Sequence, residues 1–336
     1  MTANLARLLR AAALLAAPAA LSACVTSNPP DPARPAAGGN PPAAGGGNPA
    51  PGAKEAGNTA VSASAKALLY QDIRNETDNW AAAHAEGGTS GELRAHGIET
   101  AVARVVWARF DEILADLQGS DNPRWRASAA RGLGFVANEK ARPALEKALA
   151  DPDASVLAAA LVSLARIADP DTDDVPVAKL LSYPDKVVQG DAALCLGRLF
   201  LARRGQGISP VSPPDRVEKI ESDLNVLLFD GEDPIVRAGA ARALGGLGSP
   251  RAEESLLNRL RDDHPLVRAQ VAQALASAGS AKSVDPLLDA LGREPEKNVQ
   301  SLLALALGAL AERDRRAPPY SDLGTDAAKW RQWLKK

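Results

Sequence analysis

The chain has 336 residues, a formal net charge of −2, 46% hydrophobic residues and only 4% aromatic ones. That apolar content is ample for a continuous core, but Ala and Leu must fill most of it. The charge balance, with no block of Lys or Arg, excludes the basic surface that nucleic acid or an anionic lipid layer demands.

In chain order, the first element is an export signal over residues 1–23. Arg7 and Arg10 form its positive start, and Ala11 to Ala23 make an apolar run of 13 residues. Such a run is too short to cross ~30 Å of hydrocarbon as a helix. It closes with Leu21, Ser22, Ala23 and Cys24. These four residues are similar to the lipobox of bacterial lipoproteins, and the resemblance implies cleavage before Cys24 and acylation of its thiol. Val25 follows, rather than the Asp associated with inner-membrane retention in enteric bacteria. The expected location is therefore an exported, membrane-anchored lipoprotein, in the outer membrane if the cell is diderm. With Cys24 lipidated, Cys195 stands alone and no internal disulfide can form. Its place in the repeat register, described below, reads as that of a small core hydrophobe.

Residues 24–62 are dominated by Pro, Gly and Ala and lack large apolar side chains, so they read as a disordered tether. As a flexible coil it would reach about 35 Å. Residues 63–118 read as an N-terminal helical cap. One helix is expected from Ser64 to Ala85, a turn at Gly87 to Gly91, and a second helix from Glu92 to Leu117 with a stripe of Ile98, Val102, Val105, Phe110, Ile113, Leu114 and Leu117. Trp80 and Trp107 are expected to be buried against the next element.

Residues 119–312 carry an internal repeat. In "EDPIVRAGAARALGGLG" the residues Val236, Ala240, Ala241, Leu244 and Leu247 fall at offsets 0, 4, 5, 8 and 11, one face of a helix. Trp125, Val156, Val188, Val267 and Val299 open the same pattern, with anchor spacings of 31, 32, 48, 31 and 32 residues. Offset 9 is always small: Gly134, Ala165, Gly197, Gly245, Ala276 and Gly308. Small residues there let neighbouring helices approach closely. A second apolar helix follows each first one, as with Leu256, Leu257 and Leu260, so each unit is a helical hairpin that cannot bury its face alone.

The long spacing places an insertion at residues 200–216, read as a loop marked by Gly205, Gly207, Pro210, Pro213 and Pro214. With Arg203 and Arg204 at its base, it is a candidate contact for a partner. Residues 313–336 read as a C-terminal capping helix after Pro318 and Pro319, with Thr325 as its N-cap and Trp330 and Trp333 sealing the last repeat.

The strings "DPIVRAGAARALGGLG" and "HPLVRAQVAQALASAG" resemble HEAT repeats, specifically the bacterial type named after phycobilisome lyases. The resemblance implies an all-α, right-handed solenoid of about six hairpins with helical caps. It also implies that second helices line the concave side, which makes Lys147, Lys179, Lys219, Arg259 and Asp289 candidate partner-binding residues beside Arg203 and Arg204.

Chemistry-bearing motifs are missing. His84, His96 and His264 form no His-x-x-x-His pair, and no Cys-x-x-Cys, phosphate loop or nucleophile elbow occurs. "Asp-Pro-Asp" at 151–153 reads as helix capping, and "Asp-Thr-Asp-Asp" at 171–174 lacks the spaced ligands of a calcium loop. Arg126, Arg237 and Arg268 share offset 1 and, with acids such as Asp121, Asp233 and Asp263, read as a ladder between repeats. No cofactor, metal or nucleic acid is expected. The leading expectation is a non-catalytic protein-binding scaffold in the cell envelope. The alternatives are a bilin-lyase-like or chromophore-binding protein, implied by the repeat's name, and a peptidoglycan- or glycan-binding envelope component.

Overall fold

The computed structural model of the protein describes residues 53–86, 88–136, 138–207, 214–316 and 318–335. The export signal, Leu21, Ser22, Ala23, Cys24 and most of the tether lie outside them. Described secondary structure is helical throughout, arranged as a solenoid of stacked hairpins.

The N-terminal cap consists of α1 (Ala53–Glu86), α2 (Gly88–Ala108) and α3 (Phe110–Gly119). Two expectations are corrected here. Helix α1 begins at Ala53, within the expected tether, because residues 53–62 hold Ala, Glu and Lys, which support a helix propagating from the packed segment. The second expected helix is broken at Arg109, whose φ of −130° leaves the helical range.

The first helices of the repeats are α4 (Pro123–Leu133), α6 (Ala154–Ile167), α8 (Lys186–Gly205), α10 (Pro234–Leu247), α12 (Pro265–Ala278) and α14 (Lys297–Arg313). Their second helices are α5 (Ala141–Ala148), α7 (Asp174–Lys179), α9 (Pro214–Asp230), α11 (Pro250–Asn258) and α13 (Val284–Arg293). Side-chain oxygens or nitrogens of Asn122, Asp153, Asp185, Asp233 and His264 accept from the first free amides of α4, α6, α8, α10 and α12. This satisfies donors that would otherwise be orphaned. Apart from the partly buried Trp125, the offset 0, 4, 5 and 8 residues are buried as the period required, for example Val188, Ala192, Ala193 and Leu196.

Small residues then let the first helices touch backbone to backbone. A methyl group on Gly197 would fall 2.9 Å from the Ala243 Cα, and one on Gly245 would fall 2.6 Å from the Ala274 Cα. Cys195 lies in the same packed layer, fully buried, and burial pushes its thiol upward and out of reactive range.

The offset-1 ladder is present, with partners that refine the expectation. Arg126 donates to Asp151 at 2.7 and 2.9 Å, Arg237 to Asp262 at 3.0 and 2.9 Å, and Arg268 to Glu294 at 2.7 and 2.8 Å. Each also donates to a carbonyl six residues back: Ser120, Gly231 and Asp262. Gln189 and Gln300 stand at the same offset and serve only carbonyls, those of Leu181 and Glu294. Each arginine rung thus ties a first helix to the two turns that flank its hairpin.

The insertion at 200–216 is also corrected where it is described: residues 200–205 continue α8, and α9 begins at Pro214. Helix α8 runs 20 residues against 14 for α10, and α9 runs 17 against 9 for α11. Phe200 and Arg203 are buried on the extension of α8, which explains why it continues.

At the C-terminus, α15 (Tyr320–Leu323) leads to α16 (Ala327–Leu334). The N-cap is Asp326, accepting from Ala328 and Lys329, rather than Thr325. Trp330 is fully buried, donates to the Gly324 carbonyl at 2.9 Å and meets Trp333 edge-on. It closes the end of the core.

Burial pushes the Asp262 carboxyl up, yet hydrogen bonds from Arg237 and the His264 amide outweigh it and hold the group below the usual range. Asp151 and Glu294 follow the same pattern. A carboxyl with a depressed folded pKa contributes stability that is full above the unfolded value of about 4 and is lost as pH falls below it. Arg237→Met is expected to cost about 3 kcal/mol near neutral pH, by removing the forked partner of buried Asp262 and leaving it only Arg259, at 3.6 Å. Thermal unfolding from about pH 7 down to pH 2 should also show a shallower acid-side loss in the variant than in the parent.

Candidate functional site

A cavity of about 370 Å³ opens on the layer of first helices, between α1 and the row α4, α6 and α8. Its apolar walls include Trp80, Phe135, Ala158, Val162, Val187 and Leu194. Asp78, Arg131, Arg166, Asp185 and Asp191 supply the charge.

Helix α1 is positioned by contacts with the cap and α4. Tyr70 donates to Asp116 at 2.5 Å, Lys66 donates to the same carboxylate at 2.9 Å, and Ile73 packs close to Gly132. This register brings Asp78 to Arg131 at 3.2 Å and sets Trp80 edge-on against Phe135 at 5.5 Å between centroids. The Trp80 indole N–H donates to Glu99 at 3.0 Å, and Glu99 pairs with Arg166 at 3.2 Å. The Arg166 guanidinium lies 4.0 Å from the centre of the Phe135 ring, which favours a cation over the π face. Burial lowers the Arg166 pKa, Glu99 opposes that, and its Nε has no acceptor among the described residues.

Asp191 lies at the floor, 6% exposed. Burial, opposed by Arg131 and helped by Asp185, pushes its carboxyl up to about 8. The site therefore combines an aromatic corner, a held guanidinium and a buried carboxyl with a raised pKa, and it can take up an apolar group while offering hydrogen-bond donors.

First helices meet backbone to backbone at Gly197 and Gly245, so theirs is a closely spaced layer. Lys147, Lys179 and Lys219 are exposed on the second helices, the last 3.1 Å from Asp223. Arg259 donates to the Phe229 carbonyl at 2.6 Å and stacks on that ring, and Asp289 pairs with Arg331 at 2.9 Å. Arg203 is buried, donating to Asp174 at 2.7 Å and to the carbonyls of Pro170 and Thr172. Arg204 donates to the carbonyls of Gly245, Gly246 and Ser277. These seven residues are not gathered into one site.

Among the aromatic candidates, Trp80 is buried in the cavity wall, while Trp107 is half exposed beside Phe110, contrary to its expected burial. The Asp173 side chain caps α7 and Asp169 pairs with Arg142 at 3.0 Å, so the acidic run at 169–174 serves local structure. No cluster of three His, Cys, Asp or Glu suited to a metal occurs among the described residues. The residues that sequence reasoning missed are Asp78, Arg131, Arg166 and Asp191. Those on first helices occupy offsets 3, 6 and 10, a stripe that the core pattern leaves blank.

The raised Asp191 pKa has a signed consequence. Because the folded protein retains a proton that the unfolded chain releases, Asp191 lowers stability as pH rises from about 4 to about 8. Asp191→Asn is expected to raise the unfolding midpoint at pH 8 and to flatten its decline across that window, read by calorimetry at successive pH values.

The profile of HEAT repeats matches residues 110–197 and 223–308, more than half of the chain. Among solved structures, a designed armadillo repeat protein matches at 21% identity and a TM-score of 0.41, covering 59% of this chain and 98% of that one. A designed armadillo repeat protein in complex with the peptide (KR)4 matches at 18% identity and a TM-score of 0.43, with the same two coverages. Human deoxyhypusine hydroxylase in complex with glycerol matches at 19% identity and a TM-score of 0.29, covering 80% of this chain and 95% of that one. No curated protein matches. With its six-fold register, stacked hairpins and profile match, the chain belongs to the HEAT repeat family.

Proposed function

We propose that the protein is an envelope lipoprotein, anchored through acylated Cys24, whose HEAT solenoid holds a partner protein against its inner layer of first helices without catalysing a reaction on it. The observation that carries the reading is the cavity: concave, mostly apolar, walled by Trp80 and Phe135, and supplied with a few converging polar groups. Such a surface suits recognition of a side chain or short segment, and extended inner faces are what solenoids use for binding. The buried Cys195 thiol is closed to covalent chemistry. The anchor rests on the sequence of the signal and on Leu21, Ser22, Ala23 and Cys24.

Two variants test the two halves of the reading. Cys24→Ala should move the protein from the membrane fraction to the soluble one, and unchanged membrane retention would remove the anchor. Ala158→Trp fills the cavity. In crosslinked envelopes it should abolish a partner adduct that Lys147→Glu, on the outer layer, leaves intact, whereas equal adducts in both would rule out the inner face.

A further inference from the structure

The arginines of the inner layer form a row across successive repeats. Arg131 on α4 and Arg166 on α6 are met by Asp78 and Glu99, each at 3.2 Å. The next member, Arg198 on α8, is 8% exposed, and no acceptor among the described residues takes a hydrogen bond from it. Burial, and then the charge of Arg166, lower its pKa to about 10. Arg242 on α10 is next: burial and then the charge of Arg198 bring it down to about 9, and the side-chain oxygens of Gln270 and Gln273 lie 3.2 Å from it. A buried guanidinium without an acceptor, flanked by two like charges, is costly to the fold. An arriving anion relieves that cost. Burial pushes the carboxyl of Asp191 on α8 up to about 8, which weakens its opposition to one.

We propose that Arg166, Arg198 and Arg242 bind an acidic, extended segment of the partner protein, one carboxylate to each step of the row. This deepens the scaffold reading and rests on it. The repeat geometry favours a peptide as the source of the carboxylates. Packed helices lie about 8–10 Å apart, and a polyproline II chain advances about 9 Å over its three-residue turn. Acidic side chains at every third position therefore meet successive first helices. The planar fork of Arg suits paired bonds to carboxylate oxygens. Beyond Arg166 the row opens into the apolar cavity, which takes a hydrophobic residue at one end of the segment.

The test uses the full chain carrying Cys24→Ala and labelled peptides of about twelve residues, with Glu, Gln or Lys at every third position separated by Pro and Ala. Fluorescence anisotropy should show the Glu peptide binding at least about tenfold more tightly than the Gln peptide, with affinity falling as salt rises. Arg198→Gln should weaken the Glu peptide by about tenfold without lowering the unfolding midpoint, because it removes a buried charge that lacks an acceptor. Lys147→Gln should change nothing. Gln or Lys peptides binding as tightly as Glu, or unaltered affinity in Arg198→Gln, would overturn the proposal. Should Arg198→Gln fail to fold, the pair Arg166→Gln and Arg242→Gln gives the same reading. If the Glu peptide does not bind while Ala158→Trp still abolishes the envelope adduct, the acidic segment is wrong and the scaffold stands.

Discussion

Everything in this molecule depends on how closely the first helices approach one another. At Gly197 the backbone of α8 lies against Ala243 of α10, and at Gly245 the backbone of α10 lies against Ala274 of α12. No side chain larger than hydrogen fits at either glycine without displacing the neighbouring backbone. Among the described residues, no glycine on a second helix meets a neighbouring backbone this closely. The spacing of the first-helix layer follows from single positions that carry a hydrogen atom in place of a methyl group. A stack whose layers differ in spacing bends toward the tighter one, and the proposed inner face rests on that bend.

The arginine ladder answers a different need. Close packing fixes the distance between repeats but leaves each hairpin free to rock about its neighbour. Arg126, Arg237 and Arg268 each join a carboxylate ahead to a carbonyl behind, across two turns. Such forked contacts hold an angle as well as a distance. Where Gln189 and Gln300 replace Arg, the carbonyl bond survives and the forward pair does not. Gln189 belongs to the repeat whose helices are lengthened, and there Arg203 reaches back to Asp174 instead. The forward tie is thus replaced by one pointing the other way, and the inner face stays continuous past the irregular repeat.

Much of this was legible in the sequence, because burial follows period. The repeat anchors, the small residues at offset 9, the offset-1 ladder, the sealing role of Trp330 and the buried character of Cys195 all arise from one helix and its nearest partner. What was not legible depends on three or more elements at once. Arg259 and Asp289 read as open candidates, yet neighbouring elements supply the Phe229 carbonyl to the one and Arg331 to the other. Residues 200–206 read as loop because of Gly205 and Gly207, yet Phe200 and Arg203 find burial and hydrogen bonds that sustain the helix. Trp107 was expected inside by its hydrophobicity, but it stands one position off the buried stripe of Val102, Val106 and Phe110. The charges of the inner row sit at offsets 3, 6 and 10, which mean nothing until neighbouring helices bring them together.

The functional account therefore reduces to a claim about shape: that the first helices form the inner side of a curved array, with Arg131, Arg166, Arg198 and Arg242 facing the space where a partner lies. Distances between spin labels test this most directly. Arg131→Cys and Gln273→Cys label equivalent first-helix positions of the first and fifth repeats, and Lys147→Cys and Asp289→Cys label equivalent second-helix positions of the same repeats. In a Cys24→Ala background, with Cys195 buried and unreactive, each pair is measured by pulsed electron resonance. The account predicts a clearly shorter distance for the first-helix pair than for the second-helix pair. Equal distances, or a shorter one between the second helices, would contradict it and move the binding face to the other layer.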